Sequence, residues 1–235
     1  MSNNLPALGG NFAANLPSVA VDDAVFESLA KRGNFLPRLV LYSKQGEVLD
    51  GKIKPGHYGI PTSKESLTDL GPEVDLIPLA RRAKAIDMRD RDNIVESFDP
   101  KSEVFARIQA KSSERDSGCA YGVEFLCLER TTGKLVSWFC GSKTTRAVAG
   151  EIYPFLPQAP TENAEGRGPQ AFTMGSQLIK KADYRWHGPT VKRCTTPFTN
   201  APSEQELIDE VQKFTNPPST SATNTEVADG DADDR

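Results

Sequence analysis

Apolar positions along this chain follow two rhythms: alternation by twos through the middle, and spacings of three and four in a few bounded stretches. Alternation places successive side chains on opposite faces of a strand, whereas the three-and-four spacing gathers them on one face of a helix. Short extended runs are predicted at Leu36–Tyr42, His57–Ile60 and Leu67–Leu70, with turns at Ser43–Gly46 and Gly51. Val74–Ala80 is more apolar and reads as central, although Pro78 pushes it towards an edge or a bulge. Tyr121–Leu128 and Lys134–Cys140 flank Glu129–Gly133, a hairpin signal. In the second of these runs Val136, Trp138 and Cys140 share one face and Leu135, Ser137 and Phe139 the other; both are apolar, which predicts a central strand. Ala171–Phe198 supplies two more extended runs that turn near Ala182–Asp183.

The helical rhythm is bounded by stop and start signals. Asp22–Arg32 has acids at its positive end, Lys31 and Arg32 at its negative end, and Gly33 as a stop. Asp99-Pro100 reads as N-cap and first position of a helix to about Ser112, with Val104, Phe105 and Ile108 inward. Ser142 caps a helix that Pro154 stops near Tyr153. Ser203-x-x-Glu206 is a capping box, and Leu207, Ile208, Val211 and Phe214 form the apolar face behind it. Ile86–Phe98 is charged and follows neither rhythm, and Pro157–Pro169 reads as a loop. The expected class is therefore α+β and β-rich. Residues 1–20 read as a disordered arm, 21–215 as a single β-rich domain with peripheral helices, and 216–235 as an acidic disordered tail.

Charge changes this picture through its placement. The formal net charge is −4, but Glu226–Arg235 holds five acids and one base, leaving 27 of each elsewhere. The body is neutral, and one stretch within it is basic: Lys180, Lys181, Arg185, Lys192 and Arg193 stand against Asp183 alone, with Tyr184, Trp186 and His187 interleaved. Cations that track phosphates beside rings that receive bases are what sequence-tolerant binding of single strands requires. The plainer account is a hairpin whose rings are core and whose charges are solvated. Alternation places Tyr184 and Trp186 on one face and Arg185 and His187 on the other, and Gly188-Pro189 reads as a break after them. Arg81, Arg82 and Lys84 form a smaller basic stripe.

Other chemistry is poorly supported. The four cysteines lie eight, thirteen and fifty-four positions apart, without the close pair that structural zinc sites use. Neither His57 nor His187 belongs to a nucleophile motif, and no glycine-rich phosphate loop occurs. Asp50-Gly51-Lys52 after Glu47, and Asp87, Asp90 and Asp92, resemble fragments of a metal-dependent nuclease site. They also read as a hairpin turn and, alternating with Arg89 and Arg91, as a solvated face. No catalytic residue, metal or cofactor is expected. The N-terminus lacks the basic and apolar regions of a signal peptide, and no run is long enough to span a membrane, so a soluble, cytoplasmic protein with reduced thiols is expected.

The β-rich body over Leu36–Phe198, the basic and aromatic strands, and the acidic end together resemble the single-stranded DNA-binding proteins of bacteriophages. That resemblance implies a partly open barrel of the oligonucleotide/oligosaccharide-binding (OB) kind, with about five to seven strands and three or four helices around it. It implies DNA contacts by Lys180, Lys181, Tyr184, Arg185, Trp186, Lys192 and Arg193, followed by Trp138, Arg81, Arg82 and Lys84. It further implies a non-catalytic role in replication or recombination in the bacterial host cytoplasm, with the acidic tail reaching replication proteins. A phage structural or assembly protein is the alternative from another class, and a metal-dependent nuclease is the enzyme alternative.

Overall fold

The computed structural model describes residues 36–43, 53–61, 67–90, 94–114, 116–161, 165–182, 184–196 and 203–217. The expected arm, the helix over Asp22–Arg32, the turn at Gly51 and most of the tail lie outside these residues.

Nine strands and three α-helices are described. The strands are β1 (Val40–Leu41), β2 (Tyr58–Pro61), β3 (Leu67–Gly71), β4 (Glu73–Asp87), β5 (Val95–Ser97), β6 (Cys119–Glu129), β7 (Leu135–Cys140), β8 (Phe172–Lys181) and β9 (Tyr184–Arg193). The helices are α1 (Glu103–Lys111), α2 (Lys143–Ile152) and α3 (Glu204–Thr215), and Tyr153–Phe155 continues α2 as a 3₁₀ turn. The strands form a small sheet, β1-β2-β3, and a larger one, β7-β6-β4-β8-β9, with β5 also paired to β4. Every named pairing is antiparallel. The fold is α+β and strand-rich, and among the described residues its sheets do not close into a barrel.

The segment before β2 ties both rims of the large sheet. The Leu39 and Ser137 amides donate to Ser137 O and Pro37 O, both at 2.8 Å, on the β7 side. At the other end of the same segment, His187 N of β9 donates to Ser43 O at 2.8 Å. One face of the large sheet carries Val74, Leu76, Phe125, Cys127, Val136, Trp138, Phe172 and Met174, clustered with Tyr58 and Ile60 of the small sheet and with Ala149 and Ile152 of α2. The opposite face carries Ile77, Leu79, Leu126 and Leu128 under Leu207, Ile208, Val211 and Phe214 of α3. Phe105 and Ile108 of α1 pack on Ala85.

Pro78 acts through a bulge in a central strand. The β4–β6 register slips between Pro78 and Ala80, so Leu79 is the extra residue. The slip reverses which face each later side chain occupies, since alternation has a period of two. Arg81 thereby pairs with Phe125, on the face of the interior cluster, and Arg82 pairs with Glu124, on the α3 face.

Two expectations need correction. β7 is an edge strand rather than a central one: its two apolar faces reflect cover on both sides of the sheet, by the interior cluster and by the α3 cluster, to which Leu135 adds. The first described helix is capped by Ser102, whose Oγ accepts from Phe105 N, and not by Asp99. Asp99 instead forms the preceding turn, accepting from Lys101 N at 2.9 Å through its side chain and from Ser102 N at 3.0 Å through its carbonyl. The other two caps stand where the sequence places them, at Ser142 and Ser203, each closing a capping box.

Candidate nucleic-acid interface

β8 and β9 pair over ten rows, from Phe172↔Arg193 to Lys181↔Tyr184, while β4 accompanies β8 only over Phe172–Gly175. Beyond Gly175 the hairpin continues as a two-stranded arm, turning through Ala182 at φ 50°. Its root is fastened to the small sheet. Tyr58 OH donates to Gly175 O at 2.7 Å, and Ser176 Oγ donates to Gly56 O at 2.5 Å. Gly56 has φ 86°, and a Cβ there would lie 2.5 Å from His187 Nδ1, so the turn sits flush on that imidazole.

The outer rows of the arm carry the residues that composition singles out. Lys180 lies directly opposite Arg185, Lys181 opposite Tyr184, and Ile179 opposite Trp186. Lys180 and Arg185 therefore share one face, and Lys181, Tyr184 and Trp186 the other. Lys180, Lys181 and Arg185 are exposed, and no carboxylate among the described residues pairs with them. Like charges directly opposite in an antiparallel pair are destabilising, so this row costs the fold something while it lacks an anion. Tyr184 is 74% exposed and Leu178 50%. Trp186 is half-buried. It shares a face with Gly188, where an added Cβ would come within 3.0 Å of Thr144 Cγ2, so the face turns towards the start of α2.

Gly188-Pro189 does not break the strand. Ladder pairing runs through it, with Gly188↔Gln177 and Pro189↔Ser176. The His187 amide points outward to Ser43, so the position two residues on also directs its nitrogen to the outer edge, where proline forfeits no ladder bond.

The remaining predicted residues lie elsewhere. Lys192 and Arg193 occupy the foot of the hairpin, about 26–30 Å along the strand from Tyr184 and Lys181. Lys192 is held by Glu73 at 2.7 Å, and Arg193 Nη2 donates to Gln170 Oε1 at 3.4 Å. Arg81 is exposed, its guanidinium stacked 4.1 Å from the Tyr153 ring centroid. Arg82, Lys84 and Trp138 are not surface contacts. Arg82 bridges to Glu124 at 2.6 Å, lies 3.8 Å and 4.1 Å over the Phe98 and Phe214 rings, and donates to Phe214 O at the end of α3. Lys84 joins Glu124 at 3.1 Å and Glu96 at 2.9 Å. Two cations and two carboxylates thus neutralise one another under α3. Trp138 is only 4% exposed, set edge-on to Tyr58 at 5.8 Å. A ring so enclosed has no face to offer a base.

Among the described residues, no group of three His, Cys, Asp or Glu could hold a metal. Glu47, Asp50 and Asp92 lie outside them. Asp87 is buried rather than solvated, and Arg89 grips it with Nη2 at 2.5 Å and Nε at 2.9 Å. The hydrogen bonds from Arg89 hold the Asp87 carboxyl well below the usual range against the opposing effect of burial. All four cysteines are free. Burial pushes the Cys140 thiol up to about 12 and the Cys127 thiol also upward. Among the described residues, no helix is long and apolar enough to cross a membrane.

Tyr153 and Leu178 are surface residues that sequence reasoning passed over. Tyr153 reads only as the end of a helix, and Leu178 as one more apolar residue of a strand. Compared with known proteins, the chain matches no family model, no curated protein and no solved structure.

Proposed function

We propose that this protein binds single-stranded DNA, without catalysing a reaction on it, through the β8–β9 arm, in replication or recombination. The observation that carries this reading is the row in which Lys180 faces Arg185, neither paired with a carboxylate among the described residues, next to a row holding Lys181 and the exposed Tyr184. A polyanion would relieve that opposition, and the ring would accept a base. Stacking on such a ring contributes about 1–3 kcal/mol per base and tolerates any sequence. The antiparallel order of the large sheet, with residues 37–43 bonded to both of its rims, is compatible with an open relative of the OB barrel. In the same reading the acidic tail either docks on basic replication partners or competes for the arm.

Titration with oligo-dT, followed through intrinsic tryptophan fluorescence, tests the function. Affinity should fall as salt rises, with a log–log slope of about −2 if Lys180, Lys181 and Arg185 each neutralise a phosphate on a single strand. The reading fails if nothing binds at low salt after removal of the tail, or if affinity is independent of salt; an assembly role would then be favoured.

A further inference from the structure

The cations that form one stretch in sequence stand in two places in the fold, and the second place has its own ring. The 3₁₀ turn Tyr153–Phe155 lies against the foot of the hairpin. The Phe155 ring centroid is 5.4 Å from that of Phe172, the register partner of Arg193. Gln170 N donates to Phe155 O at 2.8 Å, and the Gln170 side chain accepts from Arg193. Arg81 reaches the same turn from β4 and stacks on Tyr153. Arg81 is exposed, Tyr153 is 37% exposed, and no carboxylate among the described residues pairs with Arg81. An exposed guanidinium laid on an exposed phenol ring offers a planar surface and a charge together, which suits a nucleobase with its phosphate.

We infer that Arg81, Tyr153 and Arg193 form a second contact point for the same DNA strand, an inference that rests on the arm being a binding surface. Lys181 lies nine rows from Phe172, about 30 Å at the usual strand rise. At about 3.4 Å per stacked nucleotide, some nine nucleotides span that distance. A shorter strand touches one place only. A longer one gains the second contact at high effective concentration, with no new partner to recruit.

The test is a length series of oligo-dT, from about four to about twenty nucleotides, against the full chain at low salt. Affinity should climb about tenfold or more as the length passes about nine nucleotides. The double variant Arg81→Gln/Tyr153→Leu should lack the climb with length. If the unaltered protein binds but shows no climb, or if the variant climbs equally, the second contact is overturned while the arm reading stands. If the unaltered protein binds no length, both fall. Cross-linking the unaltered protein to long strands bearing 5-iodouracil gives a readout that needs no variant: adducts should map to Tyr153 as well as Tyr184, and their absence at Tyr153 overturns the inference.

Discussion

Two aromatic residues that the sequence offers as DNA contacts, Trp138 and Tyr184, have opposite environments, and the contrast can be measured. Trp138 is enclosed against Tyr58, so Trp138→Ala leaves a large cavity and should cost about 3–5 kcal/mol in chemical denaturation. Tyr184 projects into solvent; Tyr184→Ala should change stability by less than about 0.5 kcal/mol while weakening DNA binding by about 1–3 kcal/mol. A collapse of the Tyr184 variant would show the ring to be structural. The thiols divide similarly. Cys127 and Cys140 are buried and held protonated, so alkylation at pH 8 should label half-exposed Cys194 first and reach those two only on unfolding. Asp87 supplies a pH test. Its carboxyl is depressed in the folded state, so the stability it contributes is complete above the ordinary carboxylate pKa of about 4 and is lost as pH falls below that. Asp87→Asn should accordingly lower Tm at neutral pH, with the gap narrowing in acid.

At the scale of elements, the arm sets two like charges directly opposite each other, a strain that the proposed DNA contact would relieve. Replacing both members of the opposed pair, Lys180→Ser/Arg185→Ser, removes a like-charge row and should raise stability at low salt by about 0.2–1 kcal/mol. The same change should weaken oligo-dT binding and flatten its salt dependence. A variant that is stabilised yet binds as before would place the DNA elsewhere. The β6–β7 hairpin behaves differently, because its pairing depends on close approach. A Cβ at Gly122 would lie 1.9 Å from the Cys140 carbonyl oxygen, so the neighbouring strand would have to move as backbone. Gly122→Ala should cost about 3 kcal/mol or more, read from denaturant melts.

For the whole molecule, charge is divided between a neutral body and an acidic end. Removing Ser219–Arg235 takes away five acids and one base, bringing the formal charge from −4 to 0. The segment has few apolar residues to bury, so the melting curve should be unchanged. If the tail competes for the arm, truncation should tighten oligo-dT binding at low salt and change it little at high salt, where screening already weakens the competition. Equal affinities at low salt would leave the tail as a docking segment for partners or as a solubilising end.

The sequence by itself determined whatever rests on neighbours in the chain. Caps at Ser142 and Ser203, the apolar stripe of α3, the hairpin turn before β7 and the turn near Ala182 follow from local hydrogen bonding and periodicity, so they were legible. The alternation that separates Tyr184 and Trp186 from Arg185 was legible for the same reason. Partnership across the fold was not. Only the β8–β9 register sets Lys180 against Arg185, and only the length of β4's pairing with β8 leaves those rows beyond the sheet. A bulge at Pro78 exchanged the faces of Arg81 and Arg82, sending one to the surface beside Tyr153 and the other under α3 onto Glu124. A basic stripe in sequence thus became one exposed cation and two neutralised ones. The physical reason is that a strand's faces depend on every register slip before them, and a charge's availability on carboxylates supplied from distant strands.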